Sequence, residues 1–404
     1  MNILYMSAVG NATAPVWTTM SFIFSLSMGA SILISQSVGE KNIDKAKGFA
    51  ASMIKYHNIL PVLLFIFWML GSPLVFRLMG VSENVMDLCV KYTRIYSPVF
   101  LILGLGASYS VVFQTSNYTK PLVAYGLIRS VLNIILDYLL IFGKFGFPRM
   151  EIAGAALGTT IAEYAGAIYL FYVTIAKRKQ FFTSPDFKTI LHAKFLPYLN
   201  SAKLGIPSAL EDLLWNVGNL FIIRILNTIN EMAAGIYSMV FTVEVIFVVI
   251  IGALGSGTLT LTGEATGAKD LKLYRNVVKT AIKWSFIVAA FALTFVSFFP
   301  RFTLSLFTTD QQVIEMSVVY IILVAANLFG KSTNIIVGSG IRGYGNTKWM
   351  LFTQGLGTVG VVSIAALFVF VFKLGMLGVF LAVLCDEATR AIINAVKFLR
   401  IRFS

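Results

Sequence analysis

Charge is scarce in this sequence. Asp, Glu, Lys and Arg make up 12% of the 404 residues, where a soluble domain carries about 25%. A soluble enzyme, a nucleic-acid-binding protein and a disordered chain are excluded on that ground. Cysteine is scarcer still, with only Cys89 and Cys385, so a disulfide scaffold is excluded. The two histidines, His57 and His192, lie far apart near helix ends, which argues against a metal cluster or a His-based catalytic site. No Walker-type phosphate loop is present, so direct ATP drive is unsupported. Residues 1–13 lack the basic start and cleavage site of a signal peptide. What is abundant is apolar: 57% of residues are hydrophobic and the mean hydropathy is +0.82.

Those apolar residues fall in eleven runs, at roughly 14–38, 49–72, 93–115, 120–143, 153–176, 204–226, 232–257, 277–299, 314–338, 349–372 and 376–396. Each is long enough for a helix to cross a bilayer, which takes about 20 residues. None alternates as a membrane β-strand would. The pattern predicts an all-α polytopic membrane protein with 11 transmembrane helices (5 + 6). The long polar stretch opening at Lys177-Arg178-Lys179 reads as a linker, giving a lobe over 1–178, a cytoplasmic linker over 179–203 and a second lobe over 204–404.

The formal net charge is +14, and it is lopsided. The loops after odd-numbered spans, with the C-terminus, hold 19 Lys and Arg, including Lys41, Lys120, Lys188, Lys269, Lys348 and Arg400. The opposite side holds 6: Arg77, Lys91, Lys144, Arg149, Arg301 and Lys373. The positive-inside rule makes the first side cytoplasmic. The C-terminus is then inside, in the cell (inner or plasma) membrane, and Met1 outside.

A shift of 228 residues superposes the chain on itself. Gly29 falls on Gly257, Gly39-Glu40-Lys41-Asn42 on Gly267-Ala268-Lys269-Asp270, Tyr92 on Tyr320, and Thr119-Lys120 on Thr347-Lys348. With a small gap, Gly154 meets Gly378. Spans 1–5 thus repeat as spans 7–11 in the same orientation, and span 6 has no partner. Two pseudo-symmetric lobes in parallel repeat are a transporter design. A partner for span 6 falls before Met1, so a first helix of about 20–25 residues is expected to be missing.

Polar side chains within the spans are costly in lipid and face a partner or a wet cavity. Arg129, Asn133 and Asp137 fall at i, i+4 and i+8 on one helix face. They form either an interhelical hydrogen-bond seam or a cavity wall with a protonatable Asp137. Glu163 and Glu244 lie mid-span. Glu244 has no charged neighbour within a turn, and desolvation favours the neutral form of such a carboxyl. Glu211, near a helix start, either complements the helix dipole or faces a cleft and binds a cation or proton. Lys331 lies too deep to snorkel easily and needs a carboxylate partner or a wet cavity, with Asn334 three residues on. Asp386 and Glu387 precede Arg390 by four and three residues and read as a self-neutralising ion pair.

The block Leu132-Asn133-Ile134-Ile135-Leu136-Asp137-Tyr138, then Pro148, then Gly154-Ala155-Ala156-Leu157-Gly158-Thr159, closely resembles the signature of the multidrug and toxic compound extrusion (MATE) family. Ile34-Ser35-Gln36-Ser37-Val38-Gly39 and Gly340-Ile341-Arg342-Gly343-Tyr344-Gly345 are similar to that family's loops. The resemblance implies twelve helices in two lobes, and export of organic, often cationic, compounds by alternating access on a proton or sodium gradient. It implies further that relatives often carry a cation-binding aspartate at the position of Lys331 and a glutamate at the position of Trp215. Lys331 is then a surrogate cation, paired with Glu211 or Glu244.

The expected function is a secondary antiporter for small organic cations or amphipaths, acting as a monomer. It is not an enzyme, needs no cofactor beyond a coupling H+ or Na+, and binds no nucleic acid. The alternative is a lipid-linked oligosaccharide or polysaccharide flippase of a related two-lobed fold, which would need a more basic cavity.

Overall fold

The computed structural model describes residues 3–177, 180–230 and 232–403, without the side chains of residues 3, 4 and 6. Met1, Arg178 and Lys179, on which expectations of sidedness and of the linker's start fall, lie outside the described residues. The described residues contain no strand, as a chain in lipid requires, since a helix satisfies its backbone polar groups within itself.

Among the described residues fifteen α-helices follow in order: α1 (Ile3–Gly39), α2 (Ile43–Tyr56), α3 (Ile59–Leu78), α4 (Glu83–Tyr96), α5 (Phe100–Thr115), α6 (Lys120–Phe142), α7 (Ile152–Ala176), α8 (Phe187–Leu191), α9 (Phe195–Asn227), α10 (Ala233–Gly267), α11 (Leu271–Phe298), α12 (Pro300–Ser305), α13 (Gln311–Gly343), α14 (Thr347–Ala366) and α15 (Gly375–Leu399). Nine stretches among the described residues are long and apolar enough to cross a membrane. The helices α9 and α15, 33 and 25 residues long, have the length but carry more charge. With these two, the eleven membrane-length passages read from the sequence are present. Most begin earlier than their apolar runs, because polar first turns extend the helices past the hydrophobic stretch.

The chain divides into two compact units, Met1–Val38 with Asn42–Ala209, and Gly39–Lys41 with Leu210–Ser404. Residues 187–191 and 195–203, within the stretch read as a linker, are helical and cluster with the first unit.

In the first unit, Trp68, Phe76, Cys89, Tyr92, Tyr96 and Phe100 form a buried core with α1. The indole Nε1 of Trp68 donates to Thr19 Oγ1 at 3.1 Å. Glycine lets α1 lie directly on α9: a Cβ at Gly29 would overlap the Ser201 carbonyl oxygen, and one at Gly205 would lie 2.7 Å from Leu26 Cα. Close backbone approach through small residues is the usual helix contact in lipid. The second unit packs Tyr237, Val243, Ile321 and Phe380 in one cluster and Tyr274, Ile336 and Phe398 in another.

The repeat is visible residue by residue. Helix α1 ends at Gly39 and α10 at Gly267, 228 residues on. Lys41 and Lys269 follow with φ of 59° and 54°, left-handed backbone uncommon outside glycine. Asn42 then caps α2 by accepting from Lys45 N at 3.0 Å, and Asp270 caps α11 by accepting from Leu273 N at 2.8 Å, the N-cap chemistry of short polar residues. Not every break repeats. Between α4 and α5 the first unit has a 3-10 turn, Ser97–Val99, containing Pro98, which lacks the N–H a continuous helix needs. Ala326 stands at the equivalent position, and α13 runs unbroken.

Candidate functional site

Each unit places its intramembrane polar residues together. In the first, α6 presents Tyr125, Arg129, Asn133 and Asp137 at four-residue spacing, so they share one face. That face meets α7. Arg129 Nη1 lies 3.1 Å from Glu163 Oε1, and Tyr125 OH donates to Glu163 Oε2 at 3.2 Å. The guanidinium also lies over the Tyr125 ring, 5.5 Å from its centroid. Asn133 Nδ2 donates to Thr159 Oγ1 at 3.1 Å. Asp137 abuts Gly158, and its Oδ1 is buried without a donor among the described residues. Of the two alternatives posed by the sequence, the bonds form the interhelical seam, and Arg129, Asn133 and Asp137 do not themselves line the neighbouring cleft. Thr159 lines a cleft of about 420 Å³ with Val16, Trp17, Met20, Tyr92 and Tyr96. Tyr92 and Tyr96 stack with centroids 6.0 Å apart.

The second unit holds a denser cluster. Lys331 Nζ on α13 donates to Glu244 Oε2 on α10 at 2.6 Å, with side chains 14% and 2% exposed. The same ammonium lies 5.3 Å from the centroid of the Phe241 ring, a cation–π contact favoured in a dry setting. Glu211 does not join this pair. Its carboxylate is taken by Arg342, which leaves Lys331 to Glu244. Asn334 Nδ2 reaches α15, donating to Glu387 Oε2 at 2.6 Å, and Asn394 Nδ2 donates to Asn334 Oδ1 at 3.2 Å.

Arg390 does neutralise Asp386 and Glu387, at 2.9 and 3.0 Å. It does more than that, because its Nη1 donates to Gln354 Oε1 on α14 at 2.9 Å. Trp215, Asn219, Tyr237, Phe241, Lys331, Gln354, Asp386, Glu387 and Arg390 together line a narrow cleft with about 50 Å³ of free space, room for water or an ion rather than for a whole substrate in this conformation. Trp215 is half exposed. Gln354, Asn394 and the cleft-lining role of the Asp386–Arg390 turn escape sequence reasoning. The i, i+4 spacing shows the ion pair but not which way that face points.

Among the described residues, no group of three or more His, Cys, Asp or Glu side chains is placed to hold a metal ion. Every arginine or lysine named in these two clusters is bound to a carboxylate, so the clusters are sealed by charge. A buried pair of this kind is costly to break: removing one partner costs about 3–5 kcal/mol.

Comparison with known proteins agrees with this architecture. A probable multidrug resistance protein NorM of Thermotoga maritima is 26% identical over 396 residues, covering 98% of this chain and 84% of its own length. The multidrug export protein MepA of Staphylococcus aureus is 25% identical over 393 residues, covering 96% and 84%. A crystal structure of a MATE protein in complex with MaD3S superposes with a TM-score of 0.89 at 20% identity, over 98% of this chain and 88% of that one. The MatE family model matches residues 3–139 and 207–367. The chain therefore belongs to the MatE family and is a multi-pass membrane transporter, not an enzyme.

Proposed function

We propose that the protein is a secondary antiporter that exports organic cations or amphipathic compounds by alternating access, acting as a monomer in the cell membrane with its C-terminus cytoplasmic. The observation that carries this reading is the Lys331–Glu244 pair. A buried ammonium held on a carboxylate is a counterion built into the chain. Protonating Glu244 removes the charge that holds Lys331 and releases the ammonium toward the cleft. Lys331 holds Glu244 through Oε2, so Oε1 is the atom that takes that proton. A charge change in so dry a place favours one conformation over another, and a coupling ion shifts a transporter between states in this way. Proton rather than sodium coupling follows, because Lys331 already fills the place a free cation would take. In the first unit, Asp137 is the second candidate for protonation.

The substrate class follows from the linings. Trp17, Tyr92 and Tyr96 in the first unit, and Trp215, Tyr237 and Phe241 in the second, offer flat rings to an aromatic or cationic body. Relatives named for multidrug resistance and multidrug export support the same class. A flippase for lipid-linked saccharides would need cations free to hold pyrophosphate. Arg129, Lys331, Arg342 and Arg390 are each held by a carboxylate, which favours the cation exporter.

The test is efflux of a fluorescent organic cation from proteoliposomes under separate proton and sodium gradients. A proton gradient drives efflux on this reading, and Glu244→Gln abolishes the coupling. Efflux driven by neither gradient overturns the antiporter.

A further inference from the structure

The internal repeat reaches into both polar clusters. At the offset relating Gly154 to Gly378, Glu163 of α7 falls on Glu387 of α15, and Gly166 on Arg390. At the offset of 228, Arg129 of α6 falls on Gly357 of α14. Arginine and glycine have changed places across the helix pair. Each glycine leaves room for a side chain of the paired helix: Gly357 for Arg390 itself, Gly166 for the Tyr125 ring over which Arg129 lies. A Cβ at Gly357 would lie 2.5 Å from Arg390 Cδ and 2.6 Å from Asp386 Oδ1, and one at Gly166 would lie 2.6 Å from Tyr125 Cε2.

The exchange alters what the shared glutamate holds. In the first unit the guanidinium arrives from the neighbouring helix, so Arg129–Glu163 ties α6 to α7, and Tyr125 occupies the other carboxylate oxygen. In the second unit the guanidinium comes from the glutamate's own helix, one turn on, and binds Glu387 Oε1. Glu387 Oε2 is thereby turned to a third helix, where it accepts from Asn334 Nδ2 at 2.6 Å. Asn334 follows Lys331 by one turn of α13. The environments differ to match: the Arg390 side chain is 13% exposed and that of Arg129 43%.

We infer that Arg390 is a positioning residue for the Lys331–Glu244 pair. It orients Glu387 onto Asn334, and that bond fixes the turn of α13 from which Lys331 reaches Glu244. Arg129, its counterpart, staples two helices and has no such role. The inference rests on the reading of Lys331–Glu244 as the coupling pair. The titratable and charged groups around that pair are Tyr237 from α10 and Glu387, Asp386 and Arg390 from α15, with Glu211 of α9 near Arg390 and itself held by Arg342 of α13.

The experiment is the pH profile of proton-driven efflux of a fluorescent cation from proteoliposomes. Arg390→Gln leaves two carboxylates without their guanidinium and unfastens Glu387. Its profile moves to higher pH by about one unit, the scale of a changed neighbouring charge, and Arg390→Lys restores most of it. Asn334→Ser, which cuts the same path without touching a charge, displaces the profile too and serves if Arg390→Gln fails to fold. Arg129→Gln lowers thermal stability and leaves the profile in place. If Glu244→Gln flattens the profile while Arg390→Gln and Asn334→Ser superpose on the wild type, the positioning role falls alone. An equal displacement by Arg129→Gln overturns it as well. A wild-type profile from Glu244→Gln overturns the coupling pair, and the role of Arg390 with it.

Discussion

A lysine deep in a membrane helix is tolerable only with a partner, and here the partner lies 87 residues earlier in the chain. Lys331 and Glu244 each stand out in the sequence, because a charge in lipid needs an explanation. Their pairing does not, since it depends on how α10 and α13 pack, and Glu211 was an equal candidate until Arg342 claimed it. The energetic consequence is specific. Lys331→Ala or Glu244→Gln alone strands a buried polar or charged group and destabilises the protein by about 3–5 kcal/mol. The double variant recovers much of that loss, as coupled neighbours do. Thermal unfolding of the four proteins in detergent measures the coupling, and purely additive losses would mean that the pair is not an energetic unit. Transport by Lys331→Ala with and without sodium asks a different question. Once the tethered cation is gone, sodium dependence should appear. Unaltered transport with unaltered ion dependence would remove Lys331 from the coupling mechanism.

Helix contacts make the two halves of the repeat unequal in ways no alignment of letters reveals. Gly29 and Gly257 are equivalent by sequence, yet a Cβ at Gly29 would overlap backbone of α9, while nothing lies within 4 Å of one at Gly257. Gly29→Ala should therefore destabilise by about 1–3 kcal/mol through overpacking. Gly257→Ala should be neutral or stabilise by up to about 1 kcal/mol, because alanine is the better helix former. Melting temperatures of the two single variants decide it, and equal effects would show that the glycines are interchangeable. Helix existence and order were legible from the apolar runs, since lipid leaves the backbone few choices. The interruption at Pro98 was harder to see. The apolar run passes straight through residues 93–115, and only the missing N–H of one residue divides it.

Across the whole molecule, the charge asymmetry makes a claim about sidedness that single-cysteine labelling can check. In a background with Cys89 and Cys385 replaced, a cysteine at the exposed Lys144 should react with an impermeant maleimide on intact cells. One at the exposed Lys348 should react only after permeabilisation. The opposite pattern would invert the topology. The parallel repeat was readable from polar loop residues at constant spacing, and the caps at Asn42 and Asp270 show why those letters persist: each begins a helix. The exchange of arginine and glycine was not readable, because it becomes visible only once Glu163 and Glu387 are seen to hold different neighbours. The unbroken α13 has a mechanical consequence of its own. Its 33 residues make a rod about 50 Å long, so a small rotation at Asn334 is delivered undamped to the far end. The equivalent α4 and α5, jointed at Pro98, would absorb the same twist. One half of the repeat is built as a lever and the other as a universal joint.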